Sequence, residues 1–396
     1  MWNVEFGIRE LMLSLSFLTS DLRLPTSVFR CVIAGGGTGG HLFPGIAVAK
    51  ELGKHFEKAE ILFVVGRERK EWKILSHYGY QARSIDVEGL KGRGWKKGVS
   101  VLFRLPKSVW QSTTVINEVS PDLVLGMGGY SAGPMCLAAK FMGIPTAIHE
   151  QNSYPGLTNR LLSRLVDRVF ISFEESRMHF RGRPVCLTGN PVREELFSDR
   201  SAVREEGEKF TILVVGGSQG ARAINEAFSE SLLYLHRKGK NPQVIHQTGD
   251  KDYSRVKDDY QIRGISAEVV PFIQDMSTAY NRADLVVGRA GATTIFELAA
   301  LGKPSVLIPY PYATNQHQEI NARSLVRAGG AEMILQGDLT AESLSRLLMR
   351  YMDERSILKE MGEQARKMGR RDAAKIIVDQ LLDMVKGTNC PSLKPF

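Results

Sequence analysis

A short apolar run that breaks into a glycine cluster and then into helical text occurs twice in this chain of 396 residues. Phe29–Ala34 ends in Gly35-Gly36-Gly37-Thr38-Gly39-Gly40, ahead of a helical stretch from Pro44 to Leu52. Phe210–Val215 ends in Gly216-Gly217-Ser218-Gln219-Gly220, ahead of the helical stretch Ala221–Leu235. Further apolar runs follow each opening: Ile61–Val65, Leu123–Leu125, Thr146–Ile148, Val169–Phe173 and Val185–Leu187 in the first half, then Val244–His246, Glu268–Pro271, Leu285–Val287 and Ser305–Ile308. Short apolar strands alternating with helices predict parallel sheets covered on both faces. The expected fold is therefore α/β, with two doubly wound Rossmann-like domains and a cleft between them. The charged segment 198–209 reads as the linker. The expected divisions are an extension (1–28), an N-terminal domain (29–195), a C-terminal domain (196–365), and a helix and tail (366–396) that packs back on the N-terminal domain.

Length and composition agree with two cores in a globular chain. Lys and Arg exceed Asp and Glu, giving a formal charge of +9. That surplus fits an anionic partner or, more simply, solubility. The four cysteines show no CxxC spacing, which argues against zinc and a disulfide framework and for a reduced compartment. No apolar run approaches the roughly 18–20 residues that span a bilayer.

Gly35, Gly37 and Gly40 satisfy GxGxxG, a weak signal alone. A dinucleotide site wants an acid after the second strand, where Gly66-Arg67 stands; no GxxxxGK[ST] is present either. His41 directly follows the glycines, where an imidazole can serve as a base or simply bond locally. A second cluster, Gly126-Met-Gly-Gly-Tyr-Ser-Ala-Gly133, suits either an anion or close strand–helix packing. His149-Glu150-Gln151-Asn152 sets four polar residues at a strand end, where a sugar is a natural partner. The loop Gly216–Gly220, with Arg193 ahead of the linker, suits a diphosphate. Arg289-Ala-Gly-Ala-Thr-Thr-Ile-Phe-Glu297 opens a helix whose carboxylate can take both hydroxyls of a ribose. Asn315-Gln316-His317-Gln318-Glu319 offers amides for a hexose. Lys91–Gln111 mixes six cations with Trp95, Phe103 and Trp110 and holds no acid. That composition fits an anionic bilayer better than a single-stranded nucleic acid.

These motifs, with TGNPVR, PFIQDM, GKPSVLIPYP and NQHQEINA, run in order through about residues 29–385. In them the chain resembles the MurG family of peptidoglycan glycosyltransferases, of the GT-B fold. The resemblance implies transfer of N-acetylglucosamine from UDP-N-acetylglucosamine to lipid I, with inversion, at the cytoplasmic face of the bacterial inner membrane. It implies a peripheral protein with no cofactor and no metal, the motifs quoted carrying no metal clamp. Its partners would be the two substrates, the anionic membrane surface and other cell-wall synthesis and division proteins, with no nucleic acid. Carried over residue by residue, it makes His41 the candidate base. Thr38, Gly39, Asn152, Arg193, Ser218, Ile273 (through its backbone), Glu297 and Gln318 would bind the donor, with Gln316 or His317 as alternatives to Gln318. Gly37, Gly40, Gly128, Gly129 and Tyr130 would hold the acceptor diphosphate, with Thr38 nearby. Trp95, Lys96, Lys97, Phe103 and Trp110 would meet the membrane. Two readings of other classes stand beside this one: another UDP-sugar enzyme of the same fold, acting on a different lipid or epimerising the sugar, and a non-catalytic nucleotide-sugar-binding scaffold.

Overall fold

The computed structural model describes residues 28–37, 39–66, 69–87, 94–180, 184–197 and 209–387. The extension and the charged linker lie outside these residues, as does Thr38. Among the described residues, two all-parallel sheets carry the fold. The first has the order β3-β2-β1-β4-β5-β6-β7. Its strands are β1 (Phe29–Ala34), β2 (Ala59–Val65), β3 (Gln81–Ser84), β4 (Leu123–Gly126), β5 (Thr146–Glu150), β6 (Arg168–Ile171) and β7 (Val185–Leu187). The second has the order β10-β9-β8-β11-β12-β13. It is built of β8 (Thr211–Val215), β9 (Gln243–Gln247), β10 (Glu268–Val270), β11 (Leu285–Gly288), β12 (Ser305–Leu307) and β13 (Ala331–Met333). Each order reverses once, between β1 and β4 and between β8 and β11. The crevice at such a reversal, beyond the strand carboxyl ends, is where an open α/β sheet takes its ligand. All four sequence motifs that follow β1, β4, β8 and β11 therefore flank a crevice.

The apolar runs become strands because both faces are covered: Val32, Val64, Val124 and Ile148 are wholly buried on one side of the first sheet, and Ile33, Phe63 and Leu125 on the other. Two strands were not read from the sequence, β3 (QARS) and β13 (AEM). Both lie at a sheet edge, half in solvent, so neither carries an apolar run.

The first helix begins at Gly39 rather than at Pro44. Pro44 has no N–H to give the Gly40 carbonyl. The Thr293 hydroxyl of the second domain donates to that carbonyl instead, at 3.4 Å.

The domains share a core. Phe173, Val192 and Leu196 pack with Ile295, Phe296 and Ala299, and the rings of Phe173 and Phe296 meet edge on, centroids 4.9 Å apart. The last helix, Ala373–Val385, returns to the first domain, where Ile377, Val378 and Leu381 join the cluster around Phe29 and Ile46. The basic cluster before it is used internally. Arg371 donates to the Ala300 carbonyl at 3.0 Å, and Arg366 lies against Gly302 and the Leu301 carbonyl. Both cations thus stand at the carboxyl end of the helix Ala292–Leu301, where the dipole favours them.

Candidate functional site

The cleft is defined by helix ends. The first turn of Gly39–His55 and that of Ala292–Leu301 meet at the Thr293–Gly40 contact. Two positive dipole ends converge there, a setting for a diphosphate. Beside them Arg193 spans the domains. Its guanidinium lies 4.3 Å from the Phe43 ring centroid and donates to Glu297 Oε1 at 3.0 Å. The other Glu297 oxygen accepts from the Tyr280 hydroxyl, also at 3.0 Å. Burial works against charge on Arg193, but the Glu297 carboxylate outweighs it and holds the guanidinium above its usual range. Burial, and then Glu297, push the Tyr280 phenol well up. Each carboxylate oxygen has a second lone pair, so Glu297 can accept ribose hydroxyls without releasing its partners.

The two N-terminal glycine clusters touch. A Cβ on Gly129 would stand 2.5 Å from the Gly36 carbonyl oxygen, and one on Gly35 would stand 2.7 Å from Met127 Cβ. Close packing therefore accounts for these glycines. Gly37 differs: it has φ +87° with open space around it, and its N–H is held by the buried Glu71 carboxylate. An acceptor diphosphate on this loop has to share or displace that carboxylate. Gly128, at φ +86°, leaves room for the His41 ring, which would lie 3.2 Å from a Cβ there. Tyr130 is half-buried beside this loop.

His149 and Glu150 lie within β5, wholly buried, rather than after a shorter strand. Glu150 organises the turn that follows. It accepts from the N–H of Asn152 and Gly156, both at 3.0 Å, and from Asn159 at 2.9 Å. Burial raises its pKa and these donors oppose the rise. Asn152 in turn accepts from Asn321 across the cleft at 3.3 Å, while Asn321 Oδ1 takes the Ser153 N–H and hydroxyl at 2.9 and 2.7 Å. Gln151 accepts from His41 Nδ1 at 3.0 Å and donates to the Met127 carbonyl at 2.9 Å.

In the second domain Gln247 plays the organising part. Its amide donates to the Gly217 carbonyl at 3.0 Å, and its oxygen accepts the Ile273 N–H at 2.9 Å. The loop that carries exposed Ser218 is thereby tied to Ile273. Gln318 Oε1 accepts from the Tyr310 N–H at 3.0 Å, and His317 Nδ1 bonds the Thr314 carbonyl at 2.9 Å. Gln316 is exposed, at φ +52°.

Metal independence is expected in the sequence from the lack of an Asp-x-Asp clamp; that reading is wrong, since Asp250-Lys251-Asp252 is one, and the structure gives it a local task. Asp252 accepts from Asn225 at 2.9 Å and pairs with Arg255 at 3.1 Å. Among the described residues, no three His, Cys, Asp or Glu side chains are grouped to hold a metal ion.

Glu71, Gln247, Tyr280 and Asn321 were not singled out from sequence, and His149, Glu150 and Gln151, read there as partners of a sugar, are instead buried and bonded within the protein. Glu150 and Gln151 stood inside the HEQN motif and Asn321 inside NQHQEINA, but nothing in the sequence says which side chain faces which.

The helix Gly94–Val119 carries the basic, aromatic segment. Trp110 is 69% exposed. The side chains of Trp95, Lys96, Lys97 and Phe103 lie outside the described residues. A second exposed apolar group stands on two neighbouring helices of the same domain and the turns that end them: Phe141 and Met142, with Leu157, Leu161 and Leu165.

Residues 31–171 match the glycosyltransferase family 28 N-terminal domain, and residues 211–377 match its C-terminal domain. A relative from Syntrophus aciditrophicus is 45% identical over 357 residues, 90% of this chain and 99% of its own. One from a Geobacter species (strain M21) is 47% identical over 350 residues, 88% of this chain and 94% of its own. Both carry the name UDP-N-acetylglucosamine–N-acetylmuramyl-(pentapeptide) pyrophosphoryl-undecaprenol N-acetylglucosamine transferase. Among solved structures, MurG of Acinetobacter baumannii is 31% identical with a TM-score of 0.72, covering 90% of this chain and all of that one.

Proposed function

Because the chain belongs to glycosyltransferase family 28, we propose that it moves N-acetylglucosamine from UDP-N-acetylglucosamine to the muramyl sugar of lipid I, giving lipid II. The observation that carries this reading is the cleft itself. Two helix N-termini, Arg193 and Glu297 converge where the two switch-point crevices face each other. A nucleoside diphosphate has the matching parts: a ribose diol for Glu297, and phosphates for Arg193, the helix ends and the Ser218 loop. The Ile273 carbonyl, its N–H being held by Gln247, would take the base, and Asn152 and Gln318 the sugar. The acceptor diphosphate lies on Gly37, Gly40, Gly128, Gly129 and Tyr130.

The acceptor hydroxyl attacks the anomeric carbon as the bond from that carbon to the phosphate oxygen breaks. UDP leaves with the electron pair, and the hydroxyl proton passes to His41. Charge growing on UDP is met by Arg193 and the helix ends, which need no reorganisation. No metal and no cofactor enter this scheme. Purified protein with labelled UDP-N-acetylglucosamine and a lipid I analogue should form the disaccharide lipid and keep its rate in EDTA. No product, or a rate restored by orders of magnitude on adding a metal, would refute the scheme.

We place the protein against the cytoplasmic face of the inner membrane, without a span. Among the described residues no helix is long and apolar enough to cross one. Trp110 and the group around Phe141 and Leu161 are exposed apolar surface next to a basic helix, which suits an anionic bilayer. Trp110→Ser should weaken sedimentation with anionic vesicles and spare turnover of a soluble acceptor; unchanged sedimentation moves the contact elsewhere.

A further inference from the structure

Three sequence motifs, HEQN, GMGG and TGNP, meet in a buried hydrogen-bonded chain that ends on His41. His149 Nε2 lies 3.1 Å from the Gly189 carbonyl oxygen. A carbonyl only accepts, so Nε2 carries the proton. The Ser172 hydroxyl, 3.4 Å away, already donates to the Glu150 carbonyl, so its oxygen too can only receive from Nε2. In a neutral imidazole the other nitrogen is then an acceptor. His149 is neutral, since burial pushes its pKa down to about 4. His149 Nδ1 is 3.0 Å from Gln151 Nε2, which therefore donates to it. The same amide nitrogen faces the Met127 carbonyl at 2.9 Å, which independently fixes which end of the amide is NH2. Gln151 Oε1 is then turned on His41 Nδ1 at 3.0 Å, and an amide oxygen can only accept. Two backbone carbonyls, one at each anchor, thus dictate every proton in the chain.

We propose that Gln151 and His149 are positioning residues that hold the proton of His41 on Nδ1 and so keep its lone pair on Nε2. Neutral histidine has two tautomers, and the partner of one nitrogen selects between them. A base needs its lone pair on the nitrogen that faces the substrate. Gln151 is suited to the task because its oxygen cannot donate and carries no net charge to stabilise imidazolium. Gly128 completes the seat by leaving the ring its place. This inference rests on His41 as the base, but the tautomer is observable whether or not that reading holds.

The test is nitrogen NMR of protein labelled in its histidines, with His41 assigned by its loss in His41→Gln. At neutral pH the parent should show His41 protonated at Nδ1. Gln151→Leu should move the proton to Nε2 and lower kcat about tenfold to a hundredfold, by analogy with losing the partner that orients a metal-bound histidine, with the donor KM little changed. Gln151→Glu keeps an acceptor oxygen toward His41 and should keep the Nδ1 proton, but its charge stabilises imidazolium and it cannot donate to Met127 or His149, so kcat at neutral pH should fall. Protonation at Nε2 in the parent, or an unchanged tautomer in Gln151→Leu, overturns the proposal. A moved proton with parental kcat upholds the chain of bonds and overturns His41 as the base. If the Leu variant does not fold, the parent and Glu spectra still decide.

Discussion

Two buried glutamines do the same mechanical job in the two halves and differ in what they transmit. Gln151, just past β5, and Gln247, at the end of β9, each anchor an amide on a carbonyl of a glycine loop. Each turns its oxygen toward the site. Gln247 meets the Ile273 N–H, a group that can only donate, so it sets position and nothing else. Gln151 meets an imidazole nitrogen, whose role is open, so it sets a protonation state as well. On the proposed function, the bonds of Gln247 shape a loop for the nucleotide, and those of Gln151 prepare the proton chemistry. Substitution of Gln151 should therefore act on turnover, and substitution of Gln247 on donor affinity.

Removing His41 tests that division most severely. His41→Ala should cut turnover by roughly 10²–10⁴-fold, the usual worth of a general base, with UDP affinity by calorimetry unchanged. A parallel loss of UDP affinity would mean the halves are not separable.

Each half also buries one neutral histidine, and acid should find both. Burial lowers His149 to about 4 and His246 to about 3. Both folded values lie below the unfolded one of about 6.5. The unfolded chain therefore takes up protons first, and stability that is full above pH 6.5 falls as pH drops toward 4 and below. A few kcal/mol are at stake for each, at about 1.4 kcal/mol per pH unit. Melting temperature should fall between pH 7 and 4.5, and His246→Gln should lessen the fall. An equally steep fall in that variant would assign the effect to other groups.

Glu297→Ala should weaken UDP binding by about 1.5–3 kcal/mol through the lost charge-assisted bond. It should also lower the melting temperature, because Arg193 and Tyr280 lose a buried partner. A lower melting temperature with parental UDP binding would make Glu297 purely a domain clamp. The smallest effect belongs to Gln318→Ala, which should narrow the preference for N-acetylglucosamine over its C4 epimer, about one hydrogen bond's worth or 0.5–1.5 kcal/mol. Unaltered discrimination would shift the sugar contact to Gln316.

The sheets were legible because strand residues buried on both faces must be apolar, and this holds at Cys31–Ala34 and Ile212–Val214. It fails at β3 and β13, whose edge position removes that demand. Motif membership of the site was legible too, since glycines before a helix and a carboxylate within one have few other uses in combination. The pairings were not. Arg193 and Glu297 are 104 residues apart in the chain, and nothing local in either residue specifies the other. The basic cluster at 366–371 could not be read as internal, because the carbonyls that Arg366 and Arg371 satisfy belong to a helix placed only by the tertiary fold.

The chain passes between the domains twice, before β8 and again ahead of the last helix, and the two passages touch: a Cβ on Gly189 would stand 2.9 Å from the Arg370 side chain. Side by side, they make one pivot. Opening the cleft about it would carry Thr293 and Asn321 of the second domain away from Gly40 and Ser153. His149 bonds the pivot residue itself, and through Gln151 the seat of His41 hangs from that hinge.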